Sequence, residues 1–249
     1  MERTTAKKRV NKIALSRFEQ WALPRMARAL PAWVTPDALT GVGLLAAVGI
    51  GIGYWLSGIS LNWLWLANVC LVIHWWGDSL DGTLARVRRI QRERYGFYVD
   101  HQSDAISALL IFGGLALSPL MEPLIAMALL VGYYLLMIMV SLITIARDVF
   151  KISFAGLGPT EGRIMLISAN TLVWALGNPL IGVAGQSFSL FDLIGLGGTA
   201  LMLITYIINS LLERATLAKL DPPPEPNPEP SAAPSVPQEA VVDEGGRGL

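Results

Sequence analysis

The chain has 249 residues, 53% of them hydrophobic and only 15% charged. A soluble domain usually keeps about 25% charged residues to wet its surface, so this composition describes an integral membrane protein. The 19 Lys+Arg balance the 19 Asp+Glu, which excludes a global basic field for nucleic acid, and the single cysteine, Cys70, excludes an intramolecular disulfide framework or a cysteine-based zinc cluster.

In chain order, the first element is a helix within residues 7–30. There Ile13, Leu15, Phe18, Trp21, Leu23, Met26 and Leu30 alternate with Lys12, Arg17, Arg25 and Arg28 at roughly helical spacing. The pattern predicts an amphipathic helix lying in the cytoplasmic membrane interface, attracted to anionic headgroups. Arg3, Lys7, Lys8 and Arg9 lead into no apolar region with a cleavage site, so no cleaved signal peptide is expected. No Asp, Glu, Lys or Arg occurs between Asp37 and Asp78. A turn-like cluster, Ser57-Gly58-Ile59-Ser60-Leu61-Asn62, divides this run into a span near 38–57 and a second from about Asn62 into the charged segment beyond Gly77. Crossing a hydrocarbon core about 30 Å thick takes roughly 20 helical residues. Later spans are predicted near 98–118, 123–146, 162–182 and 190–212.

The fold class expected is therefore all-α: six transmembrane helices preceded by an interfacial amphipathic helix. Residues 1–34 form the N-terminal segment, 35–215 the membrane domain and 216–249 a disordered tail. Half of the residues from Pro222 to Pro237 are proline, mixed with Glu, Ser and Ala, and such a stretch buries too little to fold. Eight Lys/Arg precede Pro36, five lie at 86–94, three are Arg147, Lys151 and Arg163, and three follow Glu213. All 19 fall on one face of the six-span plan, which places both termini in the cytoplasm and suits the cell (inner) membrane.

The chemistry concentrates in Gly77-Asp78-Ser79-Leu80-Asp81-Gly82-Thr83-Leu84-Ala85-Arg86 and Gly96-Phe97-Tyr98-Val99-Asp100-His101-Gln102-Ser103-Asp104. An ionised Asp at membrane depth costs on the order of 2.5–3.5 kcal/mol, and four together repel one another, so they require compensation. Asp78 and Asp81 share one helix face, as do Asp100 and Asp104. Antiparallel neighbours joined through 87–96 would bring the four carboxylates to one point. Hard oxygen ligands select Mg²⁺ or Mn²⁺, and four carboxylates suffice for two ions about 3.5–4 Å apart, an arrangement suited to phosphoryl transfer. Gly82 and Ala85 remove bulk beside the acids, Arg86 offers a planar fork to phosphate oxygens, and Gly96 would let the second helix begin tightly against the first.

The pattern Asp-x-x-Asp-Gly-x-x-Ala-Arg, nine residues, then Gly-x-x-x-Asp-x-x-x-Asp resembles the signature of the CDP-alcohol phosphotransferases, with every signature position filled. Thr35-Pro36-Asp37-Ala38-Leu39-Thr40 is similar to that family's entry to its first span, and the likeness extends over about residues 10–215. The resemblance implies transfer of a phosphoalcohol group from a CDP-alcohol (CDP-diacylglycerol or a CDP-aminoalcohol) to an acceptor hydroxyl, with release of CMP, in phospholipid biosynthesis. It implies that Asp78, Asp81 and Asp100 bind two metal ions, Mg²⁺ or Mn²⁺. Asp104 would complete the metal site and act as general base. Asp37, Thr40, Gly82 and Arg86 would contact the CDP part. Lipid substrates, membrane lipids and a second copy of the chain, as a homodimer, are the partners implied, and no nucleic acid. The Asp-His-x-x-Asp form and Gly158-Pro159-Thr160-Glu161-Gly162 resemble the aminoalcohol branch.

Other residues keep more than one reading. His101 either bonds the leaving phosphate, shares base duty, or packs beside the site. Glu161 either orients a polar substrate or stabilises a helix start. Arg147 and Arg163, with Lys151, either recognise an anionic acceptor or anchor the inner face. His74 is either a hydrogen-bonded supporter of Asp78 or a satisfied buried histidine. Gly195, Gly197 and Gly198 would allow close helix contact, in a dimer among other places. Two further function classes use the same acids: a membrane diphosphate hydrolase, with water in place of the alcohol, and a divalent-cation transporter.

Overall fold

The computed structural model describes residues 16–147, 158–183 and 185–223. Among these residues it is mostly helical, with seven α-helices and one small hairpin. They are α1 (Ser16–Ala29), α2 (Pro36–Leu56), α3 (Leu64–Arg88) after a 3₁₀ turn (Leu61–Trp63), α4 (Glu93–Ala116), α5 (Pro123–Arg147), α6 (Pro159–Leu176), the strands β1 (Leu180–Val183) and β2 (Gln186–Ser189), and α7 (Leu190–Leu220). The chain gathers into one compact unit through Glu213 and a second from Arg214 onward, whose described part is the end of α7.

Local chemistry sets the boundaries. Thr35 caps α2 by accepting from the Ala38 amide at 3.1 Å, and Pro36 occupies the first helical position, where its missing N–H costs nothing. α3 ends at Arg89, whose φ of 59° is left-handed, and the chain turns back into α4. Arg88 donates to the carbonyls of Leu30, Pro31 and Val34, tying the turn between α1 and α2 to the end of α3.

Three helices, α2, α5 and α7, are long and apolar enough to cross a membrane, and the protein is a membrane protein. Large apolar side chains face outward, with Leu45 74%, Leu124 78% and Ile145 71% exposed, a distribution that water would not sustain. α3 and α4 are as long but carry acids and arginines in their adjoining halves, which lowers their mean hydropathy. In α1, Leu23 and Ala27 are buried with Leu39, Leu80 and Leu84, while Phe18 and Trp21 are exposed. Residues 7–15 of the predicted amphipathic helix lie outside the described residues, as do 224–249 of the tail and Lys151.

Three predicted extents differ. α4 begins at Glu93, five residues before the expected span. α7 runs on to Leu220, eight residues past its expected end. The span expected at 162–182 is α6 ending at Leu176, followed by a hairpin pairing Leu180 with Ser189 and Val183 with Gln186. Gly177, at φ +72°, and Pro179 stop the helix there. The Asn178 amide donates to the Leu120 carbonyl while its oxygen accepts from the Phe191 amide, fixing the exit from α6 to the starts of α5 and α7. Asp192 is buried beneath this end and accepts from the amides of Glu122 and Ser189.

The helices that carry the acids are drawn together by α2. A Cβ placed at Gly77 of α3 would stand 2.7 Å from the Leu39 carbonyl and 2.9 Å from the Gly43 nitrogen. One placed at Gly114 of α4 would stand 2.5 Å from the Gly51 Cα. α2 thus touches α3 and α4 backbone to backbone, close approach being the main source of helix association in lipid. Gly114→Ala is expected to destabilise the protein by about 1–3 kcal/mol, because backbone rather than a flexible side chain must move. Thermal unfolding in detergent checks this, and an unchanged Tm would contradict the close α2–α4 contact.

Candidate active site

A cavity of about 1270 Å³ runs through the first unit. At one end it is lined by Asp78 and Asp81 of α3 and by Asp100 and Asp104 of α4. The other end lies among Leu115, Met121, Leu129, Phe191 and Ile194, next to the hairpin. Charge is therefore confined to one end of a mainly apolar chamber.

The four acids are half-buried and occupy the same wall because each pair shares a helix face and α2 holds both helices. Asp81 is held through both of its oxygens. Its Oδ2 accepts from Thr40 Oγ1 of α2 at 2.7 Å, and its Oδ1 accepts from the Gly82 amide at 2.5 Å. Asp78 Oδ2 accepts from Arg163 Nη2 of α6 at 2.7 Å. The charges of Asp78, Asp81 and Asp100 all act on Asp104, and those of Asp78 and Asp100 act on Asp81. The carboxylates thus share one space. Among the described residues, however, no three His, Cys, Asp or Glu side chains are gathered into a ready chelate. Asp78 and Asp81 are turned instead toward Arg163 and Thr40. As a donor set, carboxylates on one cavity wall without sulfur ligands fit a hard divalent cation.

Around the acids, Asp37 accepts from Tyr95 at 3.2 Å and pairs with Arg92 at 3.4 Å, and the Arg92 guanidinium lies 3.6 Å above the Tyr95 ring. Arg86 donates to Thr83 at 2.9 Å. Asp37, Thr40, Gly82 and Arg86 all line the cavity. A Cβ at Gly82 would meet only the tip of Arg86, at 3.4 Å, and one at Gly96 would meet nothing within 4 Å. Gly96 therefore leaves open space on the cavity wall and is not required for the contact of α4 with α3. The His101 Nδ1 lies 3.0 Å from the Phe97 carbonyl and 3.7 Å from Asp100 Oδ2, with its ring tilted by 34° against Phe97 at a centroid distance of 4.1 Å.

Two of the arginines grouped by sequence part company. Arg163 lines the cavity, whereas Arg147 does not and pairs with Glu213 of α7 at 2.5 Å. Glu213 is buried, so the pair closes the α5–α7 contact at this end. Glu213→Gln is expected to cost about 1–3 kcal/mol, between the exposed and the fully buried cases. It would be read as a lower Tm, and an unchanged Tm would remove the pair from the stability of this contact. Glu161 also stands off the cavity lining, and its carboxylate accepts from the Gly158 amide at 3.0 Å, serving the start of α6. Gly195 and Gly198 meet Met121, Ile125 and Leu129 within the same chain. Sequence reasoning missed Glu19 of α1, which lines the cavity and accepts from Trp75 Nε1 at 3.2 Å and from Thr160 Oγ1 at 2.6 Å, joining α1, α3 and α6. It missed Tyr133 of α5 as a lining residue too. Neither carries a local signal.

Residues 33–210 match the family described as CDP-alcohol phosphatidyltransferase. Over 88 residues the chain is 33% identical to phosphatidylinositol phosphate synthase of Cutibacterium acnes; the match covers 35% of this chain and 40% of that relative's length. The fold is similar to the crystal structure of Mycobacterium tuberculosis phosphatidylinositol phosphate synthase with CDP-DAG bound. The TM-score there is 0.54 and the identity 19%, over 80% of this chain and 94% of the other. With the family matched across most of its length, this chain belongs to the CDP-alcohol phosphatidyltransferases.

Proposed function

We propose that this protein is a membrane transferase that moves a phosphoalcohol group from a CDP-alcohol to an acceptor hydroxyl and releases CMP. The observation that carries the reading is the cavity itself, with four carboxylates at one end and an apolar interior at the other. Such a space suits a substrate with a diphosphate head and hydrocarbon tails, and it supports CDP-diacylglycerol over a CDP-aminoalcohol as donor. The two phosphatidylinositol phosphate synthases that resemble the chain weigh in the same direction.

Asp78, Asp81, Asp100 and Asp104 are the residues that would hold Mg²⁺ or Mn²⁺, two ions in our reading. Such ions, when bound, offset the charge that gathers on a diphosphate during transfer. The chain's own groups do the rest. Thr40 and the Gly82 amide fix the Asp81 carboxylate in orientation. Arg86 presents its fork to phosphate oxygens, and Gly82 and Gly96 leave the room for them. Asp37 and Thr40 border the cytidine side of the site. Asp104 takes the proton from the acceptor hydroxyl, the bond to the phosphorus next to the diacylglycerol forms, and CMP departs with the bridging oxygen.

In the membrane, α2–α7 are six spans and α1 lies at the interface, with both termini and the acids on the cytoplasmic side of the cell membrane. A homodimer would place its partner on one of the outward apolar faces. Purified protein with Mn²⁺, CDP-diacylglycerol and, in turn, glycerol phosphate, inositol phosphate or serine tests the reading. CMP release that depends on one acceptor, with the matching phospholipid found by mass, is expected. Release without any acceptor would indicate a hydrolase. No release from either CDP-diacylglycerol or CDP-ethanolamine with any acceptor would overturn the proposal.

A further inference from the structure

At the acid end of the cavity, Arg163 is a cation largely withdrawn from solvent. Arg163 stands in the first turns of α6 with a side chain only 11% exposed. It makes two directed bonds to α3. Nη2 donates to Asp78 Oδ2 at 2.7 Å, and Nε donates to His74 Nδ1 at 3.1 Å. His74 lies one turn before Asp78 and is 4% exposed. Because it accepts at Nδ1, its ring is the neutral tautomer with the proton on Nε2. One guanidinium therefore grips two successive turns of the same helix through two different edges.

The energetics of the pair are mutual. A guanidinium and a carboxylate each lose several kcal/mol of hydration when removed from water, and each is tolerable there only through the other. Asp78 also faces the like charges of the neighbouring acids, and the positive charge of Arg163 acts on Asp104 as well as on Asp78. Arg163 thus offsets part of the repulsion that four carboxylates on one wall create. The same bond has a second effect. An Asp78 oxygen committed to a guanidinium cannot give its full charge to a divalent ion.

We propose that Arg163 is a built-in counter-ion that competes with the divalent cation for Asp78, and that His74 is the pivot that keeps the guanidinium beside the site when the Asp78 bond is exchanged. The proposal rests on the reading of Asp78 as a metal ligand. It makes Arg163 and His74 positioning residues, acting through Asp78. It also accounts for carboxylates that share a cavity without being gathered into a chelate: the arginine draws Asp78 toward α6.

The test is Mn²⁺ binding to the full chain in lipid nanodiscs, followed by the loss of the free-ion electron paramagnetic resonance signal, together with thermal unfolding in EDTA and in Mn²⁺. In Arg163→Gln the affinity for Mn²⁺ is expected to rise about fivefold or more. Its Tm in EDTA falls below that of the wild type, and its gain on adding Mn²⁺ is larger. A merely structural arginine would lower Tm without tightening the ion. His74→Phe, which keeps an aromatic ring and removes the acceptor, is expected to tighten Mn²⁺ by a smaller factor, and it carries the test if Arg163→Gln does not fold. Unchanged or weaker Mn²⁺ binding in the folded variants, with the wild type binding normally, would overturn the counter-ion role alone. A wild type that releases CMP yet binds no Mn²⁺ would remove the metal reading of Asp78, and this proposal with it. A wild type that binds Mn²⁺ but releases no CMP would overturn the transferase reading only.

Discussion

Asp104→Asn is expected to lower acceptor-dependent CMP release by about 10²–10⁴-fold, the range that loss of a positioned general base produces. The side chain keeps its size and its place on α4, so folding is retained. What disappears is the capacity to take a proton. Mn²⁺ affinity is expected to stay within about threefold of wild type, because in our reading Asp78, Asp81 and Asp100 carry the ions while Asp104 serves chiefly as the base. Turnover at the wild-type rate would take Asp104 out of the base role, whereas a collapse of Mn²⁺ binding would make it chiefly a ligand.

The second large effect concerns Asp81. Asp81→Asn is expected to weaken Mn²⁺ at least tenfold and to cut turnover by about 10²-fold, partly restored by raising Mn²⁺. Thr40→Val separates charge from orientation. It leaves the carboxylate and removes only the 2.7 Å bond that aims it from α2. A hydrogen bond to a charged group contributes about 1.5–3 kcal/mol, so about a tenfold loss of Mn²⁺ affinity is expected if that bond holds the productive orientation. A Mn²⁺ titration unchanged in Asp81→Asn would contradict its assignment as a ligand.

Much of this site is legible in the sequence because its parts are local. Spacings of three and four place Asp78 with Asp81 and Asp100 with Asp104 on helix faces. Thr35-Pro36 marks the start of α2, whereas the bond from Thr40 to Asp81 joins residues 41 apart and has no local signal. The contacts that assemble these pieces are not local. Nothing near Gly77 or Gly114 tells that each meets the backbone of α2, since a glycine in an apolar helix reads the same whether it packs on a partner or faces lipid. Arg163 is separated from Asp78 by 85 residues, and its sequence readings, an anionic-acceptor contact or an inner-face anchor, do not include a bond to Asp78. Arg147 looked equivalent until its buried partner, Glu213, was placed beside it. The hairpin replaced the end of a predicted span because hydropathy outweighed Gly177-Asn178-Pro179, a stop signal that was present.

Diffraction from crystals soaked in Mn²⁺, measured at the manganese absorption edge, bears most directly on whether the acids share divalent ions. Anomalous peaks are expected between α3 and α4, bonded at about 2.1 Å to oxygens from both pairs of aspartates, Asp78 and Asp81 on one side and Asp100 and Asp104 on the other. Crystals that release CMP when given donor and acceptor, yet show no manganese within bonding distance of those oxygens, would contradict it.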